Sequence, residues 1–154
     1  MAKLIRQNQK AFETIVSQIK ELEGKQVQAG WFASAVYYDG TPVAYVASIQ
    51  EFGSPANNIP PRPFMRPAVA QNKNAWLALM QQGAKAIIRG GQTLGQVMGK
   101  LGQRASDDIA KSIEAVDSPP LKPATIRRKG FAKPLVDSGI MLQSVTYVVE
   151  DEKK

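Results

Sequence analysis

A nucleophile at neutral pH needs a base beside it. The usual ways of supplying one are missing, because the chain has no histidine and no cysteine. That excludes Ser-His-Asp triads and other histidine bases, thiolate nucleophiles, disulfides and Cys/His zinc sites. Lysines and carboxylates are what remain. Asp107-Asp108 is the one adjacent acidic pair ahead of the C-terminal tail. It falls in a helical rhythm, where neighbours at i and i+1 diverge instead of converging on a proton or a metal. The pair therefore reads as a solvated helix face. Asp137-Ser138-Gly139 reads as turn and cap chemistry, and Gly90-Gly91 has neither dinucleotide-binding spacing nor a Walker lysine. The sequence predicts no enzyme, no cofactor and no metal.

The basic residues carry more. Lys122, Arg127, Arg128, Lys129 and Lys133 place five positive charges within one short stretch, in a chain with 20 basic and 13 acidic residues and a net charge of +7. Such a balance favours anionic partners. On a loop these side chains would reach phosphates, which ask only for charge and reach. The same residues equally read as a solvated loop or a contact with an acidic protein. No aromatic interleaving supports single-strand stacking, and no recognition helix stands out. A DNA-binding protein using the 122–133 stretch is the alternative to keep.

Another stretch that invites a binding role is Ile59–Pro67, which holds prolines at 60, 61, 63 and 67. Proline fixes φ and removes a backbone donor, and it pushes the preceding residue to extended conformations. The stretch predicts a stiff extended crossover, neither helix nor central strand. It carries Arg62, Phe64, Met65 and Arg66, and a stiff segment bearing Arg and Phe suits an interface, since little ordering entropy is left to lose. These four are the candidate subunit or partner interface. The competing reading has Phe64 and Met65 plugging the chain's own core while the arginines face water.

The elements around these stretches follow from periodicity. Leu4, Ile5, Phe12, Ile15, Val16, Ile19 and Leu22 predict an amphipathic helix over 3–23, stopped at Gly24. Residues 26–32 alternate as a short strand, and Val36–Tyr38 extends it or pairs with it before a turn at Asp39-Gly40. Thr41 as cap and Pro42 as first helical residue open a helix that ends at Gly53. Ser54–Asn58 reads as a mobile polar loop. A long helix follows over 68–88, then Gly90-Gly91, then a Thr93-capped helix over 93–116. Gly95 and Gly99 in that helix suggest close helix–helix approach. Residues 122–130 make a short helical turn, Asp137 or Ser138 caps another through Leu142, and Ser144–Glu150 is the clearest strand. The expected class is α+β: a small antiparallel sheet packed by about three main helices, with a proline-rich crossover, in a single domain over 1–154 whose last residues fray. The first residues lack the apolar core of a signal peptide, and no run suits a membrane span. The expectation is a chain made in a cytoplasm without membrane partners.

Three stretches in order resemble a known family. They are Tyr45-Val46-Ala47 with Glu51-Phe52-Gly53; Ile59 through Ala68; and Pro120-Leu121, Thr125-Ile126, Lys129-Gly130 and Lys133–Gly139 with Leu142 and Ser144-Val145. Together they look like the small neck or tail-completion proteins of tailed bacteriophages, over roughly 43–148. Ser138 stands where the family more often has threonine, which keeps the capping hydroxyl. The resemblance implies a structural role in a virion. It implies a ring, commonly sixfold, at the head–tail junction, bound to portal-side neck proteins and to tail tube or sheath proteins, with DNA passing through the lumen. The basic 122–133 stretch would then face the lumen or an acidic partner ring.

Overall fold

The computed structural model describes residues 2–22, 24–130, 132–135 and 138–151. Helix α1 (Ala2–Leu22) leads into strand β1 (Lys25–Gly30), and helix α2 (Val43–Phe52) follows an irregular hairpin. Helices α3 (Met65–Ile88) and α4 (Leu94–Ala115) form an antiparallel-connected pair across Gly90-Gly91. Short helices α5 (Pro123–Lys129) and α6 (Ile140–Gln143) precede strand β2 (Thr146–Asp151). The class is α+β, with three long helices, a shorter α2 and one two-stranded antiparallel sheet.

The sheet joins the strand after α1 to the last described strand, from Lys25 opposite Asp151 to Gly30 opposite Thr146. Its polar face is tied by side chains. Both Gln26 and Gln28 donate to the Glu150 carboxylate there, and Lys25 bridges Asp151 at 2.7 Å at the end of the opposite face. Its other face lies on α4. Helix α4 buries Leu94, Val97, Met98, Gly102, Ala105, Ile109 and Ile113, a three-and-four rhythm that turns one stripe inward along its length. Thr93 caps its start, as the sequence predicts, and Gln96 completes a capping box with it.

Two glycines set how closely the layers approach. A Cβ on Gly102 would lie 2.1 Å from the Tyr147 ring of β2, and one on Gly83 would lie 2.3 Å from Val97. The close approach expected at Gly95 and Gly99 is therefore displaced. Nothing lies within 4 Å of a Cβ at Gly95, and Gly99 meets only the Tyr147 hydroxyl at 3.6 Å. What presses on α4 is a strand tyrosine, and what presses on Gly83 of α3 is a β-branched side chain. Helical spacing of small residues does not encode either partner.

The core has two parts. Val43, Ala47, Phe64, Ala68, Ile109, Ile113 and Met141 form one cluster, where α2, α3, α4 and α6 meet. Ile87, Leu94, Val97 and Met98 form a second at the closed end of the α3–α4 pair.

Several local expectations change. Val36 bridges Pro42 instead of pairing with β1, so it closes a hairpin. Pro42 occupies the cap position of α2 in an extended conformation, and Thr41 makes no capping bond. The Thr41 N–H instead donates to Asp39 Oδ1 at 2.9 Å. Residues 54–58 are built, not loose: Pro55–Asn57 is a 3₁₀ turn closed by paired backbone bonds between Ser54 and Ile59. No described helix is long and apolar enough to cross a membrane. In α1, Ile15 and Val16 are half-buried while Phe12 and Ile19 are exposed. The side chains of Leu4, Ile5 and Leu22 lie outside the described residues.

Candidate functional site

The proline stretch is clamped to the C-terminal end of α2. Gly53 ends that helix at φ 78°, and a Cβ there would sit 2.9 Å from both Ile59 O and Pro61 N. Only glycine lets the chain double back this tightly. Pro60, Pro61 and Pro63 have no N–H to satisfy. Arg62, the one residue among them that does, donates it to Gln50 O at 2.7 Å. The segment runs extended as the sequence predicts, but only as far as Pro63.

Helix α3 begins at Met65, inside the predicted crossover, and Pro67 sits in its first turn. This corrects the helix start at residue 68. The first turn of a helix has no intrahelical acceptors for its N–H groups, so a proline there loses nothing. The remaining free donors go to one side chain. Glu51 accepts from Phe64 N at 2.7 Å and Met65 N at 2.9 Å through Oε2, and from Arg66 N at 3.2 Å through Oε1. Arg66 also donates Nε to Glu51 Oε1 at 2.8 Å, and its other arm reaches Glu51 O at 3.1 Å.

Glu51 is 4% exposed. Burial alone pushes its carboxyl up. The Arg66 hydrogen bond and the three backbone donors outweigh that and hold it below the usual carboxylate range. The arrangement gives the negative charge the N-terminus of α3 to rest on, where the helix dipole favours it. The outer face of Arg66 stays exposed and lies 5.4 Å over the exposed ring of Phe52.

The four candidate interface residues thus divide. Phe64 is 1% exposed and packs edge-on against Trp31, with ring centroids 5.6 Å apart. Its carbonyl accepts from Ser112 Oγ at 2.6 Å. Arg62 is 6% exposed and donates to Pro119 O at 2.9 Å and Pro120 O at 3.3 Å. Both side chains are engaged inside the chain, tying the proline stretch to α4 and to the segment that follows it. Met65 is half-buried, and Arg66 faces the surface with Phe52.

The basic stretch divides as well. Lys122 caps α5 with its backbone, and Lys122, Arg127, Arg128 and Lys133 are exposed. Lys129 ends α5, and its side chain lies outside the described residues. Lys122 and Arg128 line one cleft together with Arg62. Arg127 is not among the residues lining it.

Sequence reasoning gives no role to two carboxylates that the structure makes central. Glu51 is one. Asp108 is the other: it is 4% exposed, not solvated, and its Oδ2 accepts from Trp76 Nε1 at 2.9 Å and Arg104 Nε at 2.8 Å. Burial raises its pKa, and the Arg104 and Trp76 hydrogen bonds overcome this and lower it. Asp107 keeps the predicted exposed position, accepting from Gln103 at 2.9 Å. The expected Asp137 cap on α6 lies outside the described residues, while Ser138 Oγ accepts from Ile140 N at 3.4 Å. Residues 51–53 and 59–68, Pro119 and Pro120, and Met141 therefore meet around Glu51, Arg62 and Phe64. Comparison with models of known families, with curated proteins and with solved structures gives no match.

Proposed function

We propose that the chain is a non-enzymatic structural protein of a tailed-bacteriophage virion. In this reading copies of it form a ring at the head–tail junction that completes the tail and joins it to the connector, with DNA in the lumen. The ordered stretches that resemble the neck and tail-completion proteins support it, and so does the meeting of Glu51, residues 62–66 and Pro120 from those stretches in one framework.

The observation that carries the assembly part is the apolar surface left exposed. Phe12 and Ile19 are exposed on α1, and Val69, Leu77 and Ile88 are exposed on α3. An apolar groove of about 410 Å³ opens beside Val69 and Leu77, between α3, α4 and β1. Exposed apolar surface on two helices suits a head-to-tail ring, in which each copy offers one surface and receives another. Arg66 with Phe52 adds a cation–aromatic surface of the kind enriched at interfaces.

Native mass spectrometry of the purified chain tests the assembly, and cryo-EM of virions tests the place. A closed oligomer that Phe12→Glu or Leu77→Glu dissociates, with density for the chain at the neck, is the expected result. A concentration-independent monomer, or density for this chain elsewhere in the particle, overturns the reading.

A further inference from the structure

Buried charges are as a rule paired with an opposite charge. The chain follows that rule at Glu51 with Arg66 and at Asp108 with Arg104. Arg62 breaks it. Its guanidinium is buried against two neutral carbonyls, those of Pro119 and Pro120, and among the described residues no carboxylate bridges it. Burial lowers its pKa. The two carbonyl bonds occupy two of the five N–H donors a guanidinium carries.

Arg62 lines two adjoining clefts, one of about 570 Å³ and one of about 380 Å³. Gln50, Leu121, Thr125 and Arg128 are shared by both. The larger cleft adds Tyr37, Val46, Leu135 and Met141 and is walled mainly by apolar and aromatic surface. Its one described carboxylate, Asp39, is exposed at the turn and already accepts from the Thr41 N–H. The smaller cleft adds Lys122 and no acid among the described residues. The clefts therefore combine apolar walls with an excess of positive charge among their described residues, and the most recessed of those charges has no described carboxylate bridging it.

We propose that these joined clefts receive an acidic, apolar peptide segment of a partner protein, with one carboxylate pairing Arg62 and Arg128 and a neighbouring large apolar side chain entering beside Val46, Leu135 and Met141. A carboxylate matches the guanidinium fork in a way a single ammonium would not. Nucleic acid fits less well. Phosphates on a duplex present themselves to protruding side chains, whereas Arg62 is recessed and its surroundings are apolar. The inference stands independently of ring assembly.

The test is fluorescence anisotropy of the full chain with a labelled decapeptide of alternating glutamate and leucine, an isosteric glutamine–leucine decapeptide, and a short duplex DNA. The acidic peptide is expected to bind at least about tenfold tighter than its neutral isostere, a difference near 1.4 kcal/mol. Arg128→Ala, at an exposed site, is expected to remove most of that preference. Thr125→Glu puts a carboxylate on the wall common to both clefts, so it is expected to block the peptide and raise the thermal midpoint. Arg62→Gln is expected to abolish discrimination, with circular dichroism reporting whether its fold survives. No binding, equal affinity for the two peptides, indifference to Arg128→Ala, or displacement of the peptide by duplex DNA overturns the proposal.

Discussion

The carboxylate of Glu51, in the last turn of one helix, caps the first turn of the next and grips Arg66 from the same turn. The two residues stand 15 positions apart. Between them run Gly53, the 3₁₀ turn and the prolines, so one ionic contact fixes where a rigid segment starts and where it stops.

Glu51→Ala should cost about 3 kcal/mol or more, because it strands buried N–H groups and leaves Arg66 without its partner. Arg66→Ala should cost about 1 kcal/mol or less, since Arg66 is largely exposed and the backbone donors still hold the carboxylate. Urea unfolding followed by circular dichroism ranks the two, and equal losses would contradict a capping role for Glu51.

Acid should weaken the fold in a defined window. Glu51 and Asp108 are both held below their ordinary values of 4.5 and 3.8. The unfolded chain therefore binds protons before the folded chain does, and stability rises with pH through that interval. The stabilisation is complete above the ordinary values and drains away as pH falls through the folded ones. Thermal midpoints should be level near neutrality and fall below about pH 4.5. Pairing Glu51→Gln with Asp108→Asn should flatten that fall, and an unchanged slope would refute the assignment.

The glycines of α4 should respond in opposite directions. Gly95→Ala meets open space and should stabilise by up to about 1 kcal/mol, through helix propensity alone. Gly102→Ala drives a methyl group into the Tyr147 ring and should destabilise by about 1–3 kcal/mol. The pair of chemical-denaturation midpoints decides, and a stabilising Gly102→Ala would show that Tyr147 moves aside freely.

Phe64→Ala should cost about 3–5 kcal/mol, as for other fully buried aromatics. Trp31→Phe keeps a ring against Phe64 but loses the 2.8 Å bond from Trp31 Nε1 to Met141 O, and should cost about 1 kcal/mol. Differential scanning calorimetry separates the two. A Phe64→Ala loss no larger than that of Trp31→Phe would place the side chain outside the core.

What the sequence made legible was whatever repeats locally. The helices α1, α3 and α4, the buried stripe of α4, the Thr93 cap, the Gly53 stop and the strand at Thr146–Asp151 are carried by neighbours within a turn or two. What it hid was long-range. Glu51 meets Phe64 and its neighbours from 13 positions away, and Trp76 meets Asp108 from 32. The one local hint at Glu51 was its placement at a helix C-terminus, where the dipole disfavours an acid. Asp108 gave no hint, because its helical phase alone does not reveal a tryptophan N–H and an arginine waiting above it. Phe64 and Arg62 carried interface-like chemistry in sequence. Their burial is decided by the returning segments at 112 and 119–120, which no local window contains.

The two-stranded sheet has a consequence for how the molecule is made. Gln26 and Glu150 bond across 124 positions of chain, and closing a loop of that length costs on the order of 4 kcal/mol in entropy before any contact rewards it. On a ribosome β1 emerges early and must wait, edge exposed, until Thr146–Asp151 arrives. Meanwhile α3 and α4 can pair as soon as both are out, and the face of α4 that later holds Tyr147 stands open. The last strand acts as a latch, and nascent chains that stall before it should be the ones that need a chaperone.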